Sequence, residues 1–447
     1  MGAGPDAGSE RLALLRQAKL AALVRKQWGP PTPAGISGAF PGGATLLGGA
    51  GHSAWVLIDD GAVRSFGVAV AWATGVGATA LDVMIDAPGP PTAGLVSAAA
   101  LVARRAGEFF YPAGVWVVSG RELAPAVPAA LGGPGLGAPA DDGGYADLLR
   151  RHGVEPVVEH GVLRGEVLGL EVARVEATEE GWCLVVGVGR QDRRARAELR
   201  PGEDAGPALD EVVAVVKRWR APGARRHPAN TLARERWLRH VVCSRPGLVG
   251  AAELAPSAPS LPVVDLRRPA PAPAAGQGLD GAPMVVVCST GVDVDLVPTA
   301  ADCRLLATGG RPGARLVLAV PEGDDHPITR RLAAQLTPRP KCSLCPEHGR
   351  PLGSSGIDRR GVEVVDDYRL VVAEAVLDRL EFADVQRVFG AEQPGAHRFS
   401  GAEVRQPVQS PFFPWRGGVS GSRPGFSHAR PPAGKGSAQA DRVQRWV

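Results

Sequence analysis

Twice along this chain, branched apolar runs of strand length alternate with segments of helical period. The first stretch reads SAWVLIDD (53–60), FGVAVAWATGVG (66–77), ALDVMID (80–86), AGLVSAAALVARRAGEFF (93–110) and GVWVVSG (114–120). The second reads PMVVVCST (283–290), PTAADCRLLA (298–307), ARLVLAVPE (314–322) and HPITRRLAAQL (326–336). Apolar runs of six residues separated by helices of ten or more predict parallel strands joined by right-handed crossovers. No other feature restricts the fold as strongly. Pro327 fits a first helical turn, and Thr299 with Asp302 three residues on suits a helix start.

The remaining segments divide the chain. Residues 1–44 are an N-terminal helix, expected from Glu10 to about Gln27, and a Pro/Gly-rich lead-in. Residues 45–124 form an α/β unit, and 125–144 is a linker by composition. An α+β block with basic helices covers 145–254: YADLLRRHG is helical, VEPVVEHGVLRGEVLGLEVARVEA and GWCLVVGVGRQD are strands, and ALDEVVAVVKRWR and ANTLARERWLRHVVC are helices. A Pro-rich linker over 255–282 leads to a β-α-β-α unit over 283–340. Beyond 341 the pattern stops. One helix is expected at about 363–389, and 341–447 reads as a largely disordered tail. The fold class expected is therefore α/β: an N-terminal α/β unit, a central α+β block, a small Rossmann-like unit and a disordered C-terminal tail. No repeat of fixed period is visible.

Composition bounds function loosely. There are 50 Lys and Arg, only five of them lysine, against 46 acidic residues, for a net charge of +4 over 447 residues. Arginine, alanine, glycine and proline bias of this kind follows from a GC-rich genome, so each arginine is weak evidence of selected chemistry. Six scattered cysteines form no disulfide framework, which fits a reducing cytoplasm. The longest uncharged run, Ser65–Leu81, is broken by three glycines and is too short and interrupted for a membrane span.

Several candidate sites emerge. In one continuous extended strand through 160–175, HGVLRGEVLGLEVARV, Glu166 and Glu171 fall on opposite faces. The order of elements over 145–220 is similar to the core of restriction-enzyme-type nucleases, whose acid-x-Lys pair would be needed to hold a metal-bound water. Here Ala173 follows Glu171 by two, and Leu168 follows Glu166, so no catalytic residue transfers and the likeness is to a degenerate scaffold. The segment KRWRAPGARRHPANTLARERWLRH (217–240) carries eight basic residues against one glutamate, with Trp219 and Trp237 among them. Lys217, Arg218, Arg220, Arg225, Arg226, Arg234 and Arg236 are candidates for phosphate contact, with a nucleic acid as the partner. In the last α/β unit, Asp293 and Asp295 follow one strand, and Asp324 and Asp325 follow the next. Beyond the carboxyl ends of parallel strands such acids suit a divalent cation and a phosphorylated small molecule.

Other motifs fail on spacing. CSTG (288–291) has Val294 where a cysteine phosphatase needs its arginine. GVGATA (75–80) follows a helix, so it reads as a C-cap and turn, not a dinucleotide fingerprint. Cys342, Cys345 and His348 are half a zinc site. The runs VVEHGVLRGEVLGLEVARV, VGVGRQDR, HPANTLARERWLR, VVVCSTGVDVDLVPTAAD and LVLAVPEGDDHPITRRLAAQL resemble uncharacterised conserved proteins of high-GC actinobacteria, over about residues 45–340. The resemblance implies no activity and no cofactor. Three function classes remain: a nucleic-acid-associated protein, an enzyme acting on a phosphorylated small molecule, and a non-catalytic interaction protein.

Overall fold

The computed structural model describes residues 7–31, 35–48, 52–59, 62–86, 89–109, 113–131, 143–179, 181–199, 204–221, 224–225, 227–263, 266–311, 313–336, 362–365 and 368–372. All belong to one compact unit, residues 1–391. The second unit, 392–447, and the motif around Cys342 lie outside the described residues.

The first α/β region opens with helix α1 (Ala7–Trp28) and continues through β1 (Ile36–Phe40), β2 (Gly43–Leu47), β3 (Ser53–Ile58), α2 (Phe66–Gly75), β4 (Ala80–Ile85), α3 (Ala93–Ala106), β5 (Ala113–Ser119) and β6 (Glu122–Pro125). Its sheet runs β1-β2-β3-β4-β5-β6, with β3, β4 and β5 parallel and every other pairing antiparallel. Strand β4 lies mid-sheet and buries Leu81, Val83, Met84 and Ile85, which explains why ALDVMID shows little polar alternation. Thr92 caps α3 by accepting from Leu95 N at 3.2 Å. The expected turn after α2 forms, with Gly77 at φ 73°.

A central block follows: α4 (Tyr145–Arg151), β7 (Glu155–Glu159), β8 (Val162–Val167), β9 (Leu170–Thr178), β10 (Gly181–Val186), α5 (Gly189–Leu199) and α6 (Ala205–Trp219). Its four strands form an antiparallel meander. One face of the meander buries Leu163, Val167, Leu170 and Val175 with Leu149 of α4 and Leu209, Val212, Val213 and Val216 of α6. The 3.6-residue spacing of those α6 positions is the amphipathic stripe visible in the sequence. ANTLARERWLRHVVC, expected as one helix, is broken into α7 (Pro228–Thr231) and α8 (Arg234–Ser244) at Ala233, which has φ 45°.

The third region comprises β11 (Ala251–Pro256), β12 (Ala272–Gly278), β13 (Pro283–Cys288), α9 (Leu296–Thr308), β14 (Arg315–Val320), α10 (Pro327–Ala333), β15 (Val362–Val365) and β16 (Tyr368–Val372). Three expectations are corrected here. The supposed linker over 255–282 contains β12, which pairs with both β11 and β13. Its sequence APAAGQG has no β-branched residue, so only its neighbours make it a strand. The segment between β11 and β12, here called the strap, then joins two paired strands of one sheet and is not a tether between domains. The helix expected at about 363–389 is also replaced at its start, where β15 and β16 extend the third sheet beyond β14. Thr299 is not the cap of α9, because that helix starts earlier, after Asp295.

The third sheet, ordered β11-β12-β13-β14-β16-β15, repeats the pairing pattern of the first: antiparallel, antiparallel, parallel, parallel, antiparallel. Each sheet also has one helix on its outer face. Leu20, Leu23 and Val24 of α1 lie on Ala44, Leu46, Trp55, Leu57 and Met84. Leu238 and Val242 of α8 lie on Met284, Val286, Cys288, Val317 and Ala319. The inner faces share one core: β3, β4 and β5 with α2 and α3 on one side, β13 and β14 with α9 and α10 on the other. Phe66 and Phe109 meet edge to face within it, with ring centroids 5.7 Å apart. Arg104 of α3 holds Asp302 of α9 through two hydrogen bonds of 2.6 and 3.2 Å. The two regions thus share one topology over their first four strands, which no sequence period discloses, and differ in the last two, which the third sheet takes in reverse chain order. Among the described residues, no helix is long and apolar enough to cross a membrane.

Candidate functional site

The stretch 160–175 is a hairpin, not one strand. Leu168 and Gly169 have φ of 49° and 76°, the left-handed pair that a two-residue turn requires. The register puts Glu166 opposite Glu171, with a bulge after Gly165. Directly opposed residues share a face, so the two carboxylates do lie on one side of the sheet, contrary to the alternation of a continuous strand. That face is an ionic layer. Glu166 receives Arg236 at 2.7 Å and Arg239 at 2.8 Å, and Glu159 receives Arg236 at 2.5 Å and Arg239 at 3.1 Å. Glu171 receives Arg164 at 2.7 Å, Arg174 at 2.8 Å and Arg193 at 3.0 Å. Burial alone would raise Glu171 and Glu159, but the surrounding guanidinium groups outweigh it and hold both below the usual carboxylate range. Burial likewise opposes charge on Arg239, and Glu166 and Glu159 overcome it and push its pKa up. These carboxylates are saturated by arginines in the interior, which makes the layer structural.

The basic segment separates into two groups. Arg220 and Arg236 are interior residues, 2% and 3% exposed, which removes them from a nucleic-acid surface. Arg220 donates Nε to Ala229 O at 2.8 Å and Nη1 to Leu168 O at 2.6 Å, and it also bonds Leu232 O. It lies over the Trp237 ring, 4.9 Å from the centroid. Burial draws its pKa down to about 9, against the fields of Glu166 and Glu235, so it stays charged at neutral pH. Its hold on the carbonyls of Ala229 and Leu232 accounts for the break between α7 and α8. Arg234 is half-buried, in the fields of Asp324 and Glu235. Lys217, Arg218 and Arg225 are exposed, and Arg226 lies outside the described residues. Beside them Trp219 and His227 stack at 4.2 Å with planes 4° apart, and Arg218 covers the Trp219 ring at 5.2 Å.

The strand-end acids are also divided. Asp324 accepts from Gly291 N at 2.7 Å, and Asp325 pairs with Arg330 of α10. Among the described residues, no three Asp, Glu, His or Cys side chains group so that they could hold a metal ion. Asp293 and Asp295 instead line a cavity of about 200 Å³. Its wall comes from four places. Val63 and Arg64 follow β3, and Arg105 ends α3. The strap contributes Pro259–Val263 and Arg268–Pro271, and the start of α9 contributes Asp293, Asp295 and Thr299. The cavity therefore lies between the segments that follow β3 and β13, with the last turn of α3 and the strap completing its wall.

Its electrostatics are set by close approach. Asp295 Oδ1 accepts from Gly67 N, at the start of α2, at 2.7 Å. A side chain at Gly67 would collide with Val294 O, so only glycine lets α2 come this close. Burial pushes the Asp295 carboxyl up to about 6. The Gly67 amide and the fields of Arg105 and Arg64 work against that rise, and Asp293 adds to it. Arg105 is 1% exposed and reaches Val63 O and Ser260 Oγ, both at 3.1 Å. Its Nε faces the buried Asp302 carboxylate at 3.5 Å. Arg64, Arg105 and Arg268 were not expected from sequence, because no local pattern joins residues so far apart along the chain.

Fold and site together define an α/β protein whose two similar sheets enclose a layer of helices, with a charged cavity of small-molecule size where the two regions meet. No family model, no curated protein and no solved structure matches the chain.

Proposed function

We propose that the protein binds a small anionic molecule in the cavity between its two α/β regions. One observation carries the reading: three arginines, Arg64, Arg105 and Arg268, line a hollow of about 200 Å³ between the segments that follow β3 and β13. Guanidinium groups and helix starts both favour carboxylate or phosphate. The hollow is partly open to solvent; a cavity of about 150 Å³ takes benzene, so the part of a ligand held inside this one is roughly eight non-hydrogen atoms. Asp295, with its carboxyl near 6, is the group suited to exchange a proton with such a ligand. Isothermal titration of the full chain with inorganic phosphate, short phosphate monoesters and small carboxylates tests the reading. At least one should bind, and the Arg64→Ala, Arg268→Ala double variant should bind at least about tenfold more weakly. Absence of binding by the whole panel refutes it.

A second reading, nucleic-acid association, is favoured by the Trp219–His227 stack among exposed Lys217, Arg218 and Arg225. Among the described residues, three cations are available there. On duplex DNA these alone give a slope of log affinity against log salt of about −3. Binding that does not weaken with salt, or no binding, excludes this surface.

A further inference from the structure

The same hollow holds two carboxylates, which a purely anionic ligand would meet as repulsion. Asp293 and Asp295 come from one segment, the loop between β13 and α9. The guanidinium groups come from three others: the turn after β3, the end of α3 and the strap. We propose that the ligand is a small zwitterion of amino-acid size, its ammonium held by Asp293 and Asp295 and its carboxylate by Arg64, Arg105 and Arg268. This rests on the cavity reading above and specifies its occupant.

Charge, size and wall chemistry agree. A dianion would satisfy the cations and oppose the acids, and a simple amine would do the reverse. Only a molecule with both charges leaves neither set opposed. The roughly eight non-hydrogen atoms enclosed match a mid-sized α-amino acid. Pro259, Leu261, Pro262, Val263, Pro269 and Val63 give the hollow an apolar side for the rest of the molecule. Such sites are mostly apolar with a few fixed polar groups. The Asp295 carboxyl, now held near 6, would drop towards the ordinary carboxylate value beside a bound ammonium, so affinity should rise from about pH 5 to about pH 7.

The test is calorimetric titration of the full chain at neutral pH with the standard amino acids one at a time. The strongest binder is then compared with its N-acetyl derivative, which lacks the ammonium, and its amide, which lacks the carboxylate. Inorganic phosphate serves as the anion control. Each derivative should bind at least about tenfold more weakly than the parent. Asp293→Asn should weaken the amino acid to the same degree and leave phosphate bound as tightly or more tightly, with circular dichroism confirming that the variant is folded. If the N-acetyl derivative binds as well as the parent, or if phosphate binds and no amino acid does, the zwitterion is wrong and the anion site stands. If neither phosphate nor any amino acid binds, and the anion panel above is also silent, both readings fall.

Discussion

Replacing Asp295 by Asn separates a structural cap from a functional acid. Both side chains can accept the Gly67 amide, so the cap survives the change. Only the wild type must bury a negative charge. Folding raises this carboxyl from 3.8 to about 6. At about 1.4 kcal/mol per pH unit, that distance is worth up to about 3 kcal/mol. The sign follows from proton linkage. A carboxyl raised in the folded state binds its proton more tightly there than in the unfolded chain. The folded state therefore loses stability as pH rises from about 4 to about 6, and the loss is complete above that. Asn cannot ionise and escapes it. Urea unfolding of both proteins should give equal stabilities near pH 4 and a variant more stable by up to about 3 kcal/mol near pH 7.5. A variant that is less stable at neutral pH, or a difference that does not change with pH, refutes the argument and leaves Asp295 as an ordinary cap. The predicted gain has a functional meaning, because a residue that weakens its own fold at working pH is retained for another reason.

Three further outcomes follow from the packing. Gly169→Ala should cost about 3 kcal/mol or more in chemical denaturation, because φ is +76° and the new methyl would meet the Arg236 carbonyl. Glu166→Ala should cost about 3 to 5 kcal/mol by leaving Arg239 and Arg236 short of a buried partner; a loss under about 1 kcal/mol would mean that water reaches the layer. Arg220→Lys should cost about 2 kcal/mol or more despite the conserved charge, since an ammonium cannot replace a planar fork shared by three carbonyls. In that variant hydrogen exchange should rise first around 229–233.

The strands and helices were readable because their apolar periods are strong: ALDVMID, GVWVVSG, ALDEVVAVVKRWR and PMVVVC form the elements their patterns imply. The face of Glu171 was not. Its error traces to Leu168, an apolar residue in a left-handed turn that usually advertises itself with Asn or Gly. Without that turn, parity along the strand gives the opposite answer. The buried arginines were unreadable for a different reason. RERWLRH looks like a solvated face until the acids that neutralise it arrive from β7 and β8, about 70 to 80 residues earlier. Asp293 and Asp295 were legible as strand-end acids, since position beyond a parallel strand is a local property. Their cationic counterparts were not, because three segments separated by 40 residues or more converge only in the folded chain. The strap was hidden by composition: proline-rich sequence reads as a spacer, although here it forms a wall.

Helix α8 has a consequence for how the molecule comes apart. It buries Leu238 and Val242 on the third sheet and Arg236 and Arg239 in the ionic layer, so five successive residues, Glu235–Arg239, are inaccessible. Peeling it from either side strands apolar surface in water or arginines without counter-charge. The central block and the third sheet therefore have no cheap partial opening between them. Amides of β8 and of β13 should exchange at one common slow rate, and a protease should find no cut that frees the central meander as a stable fragment.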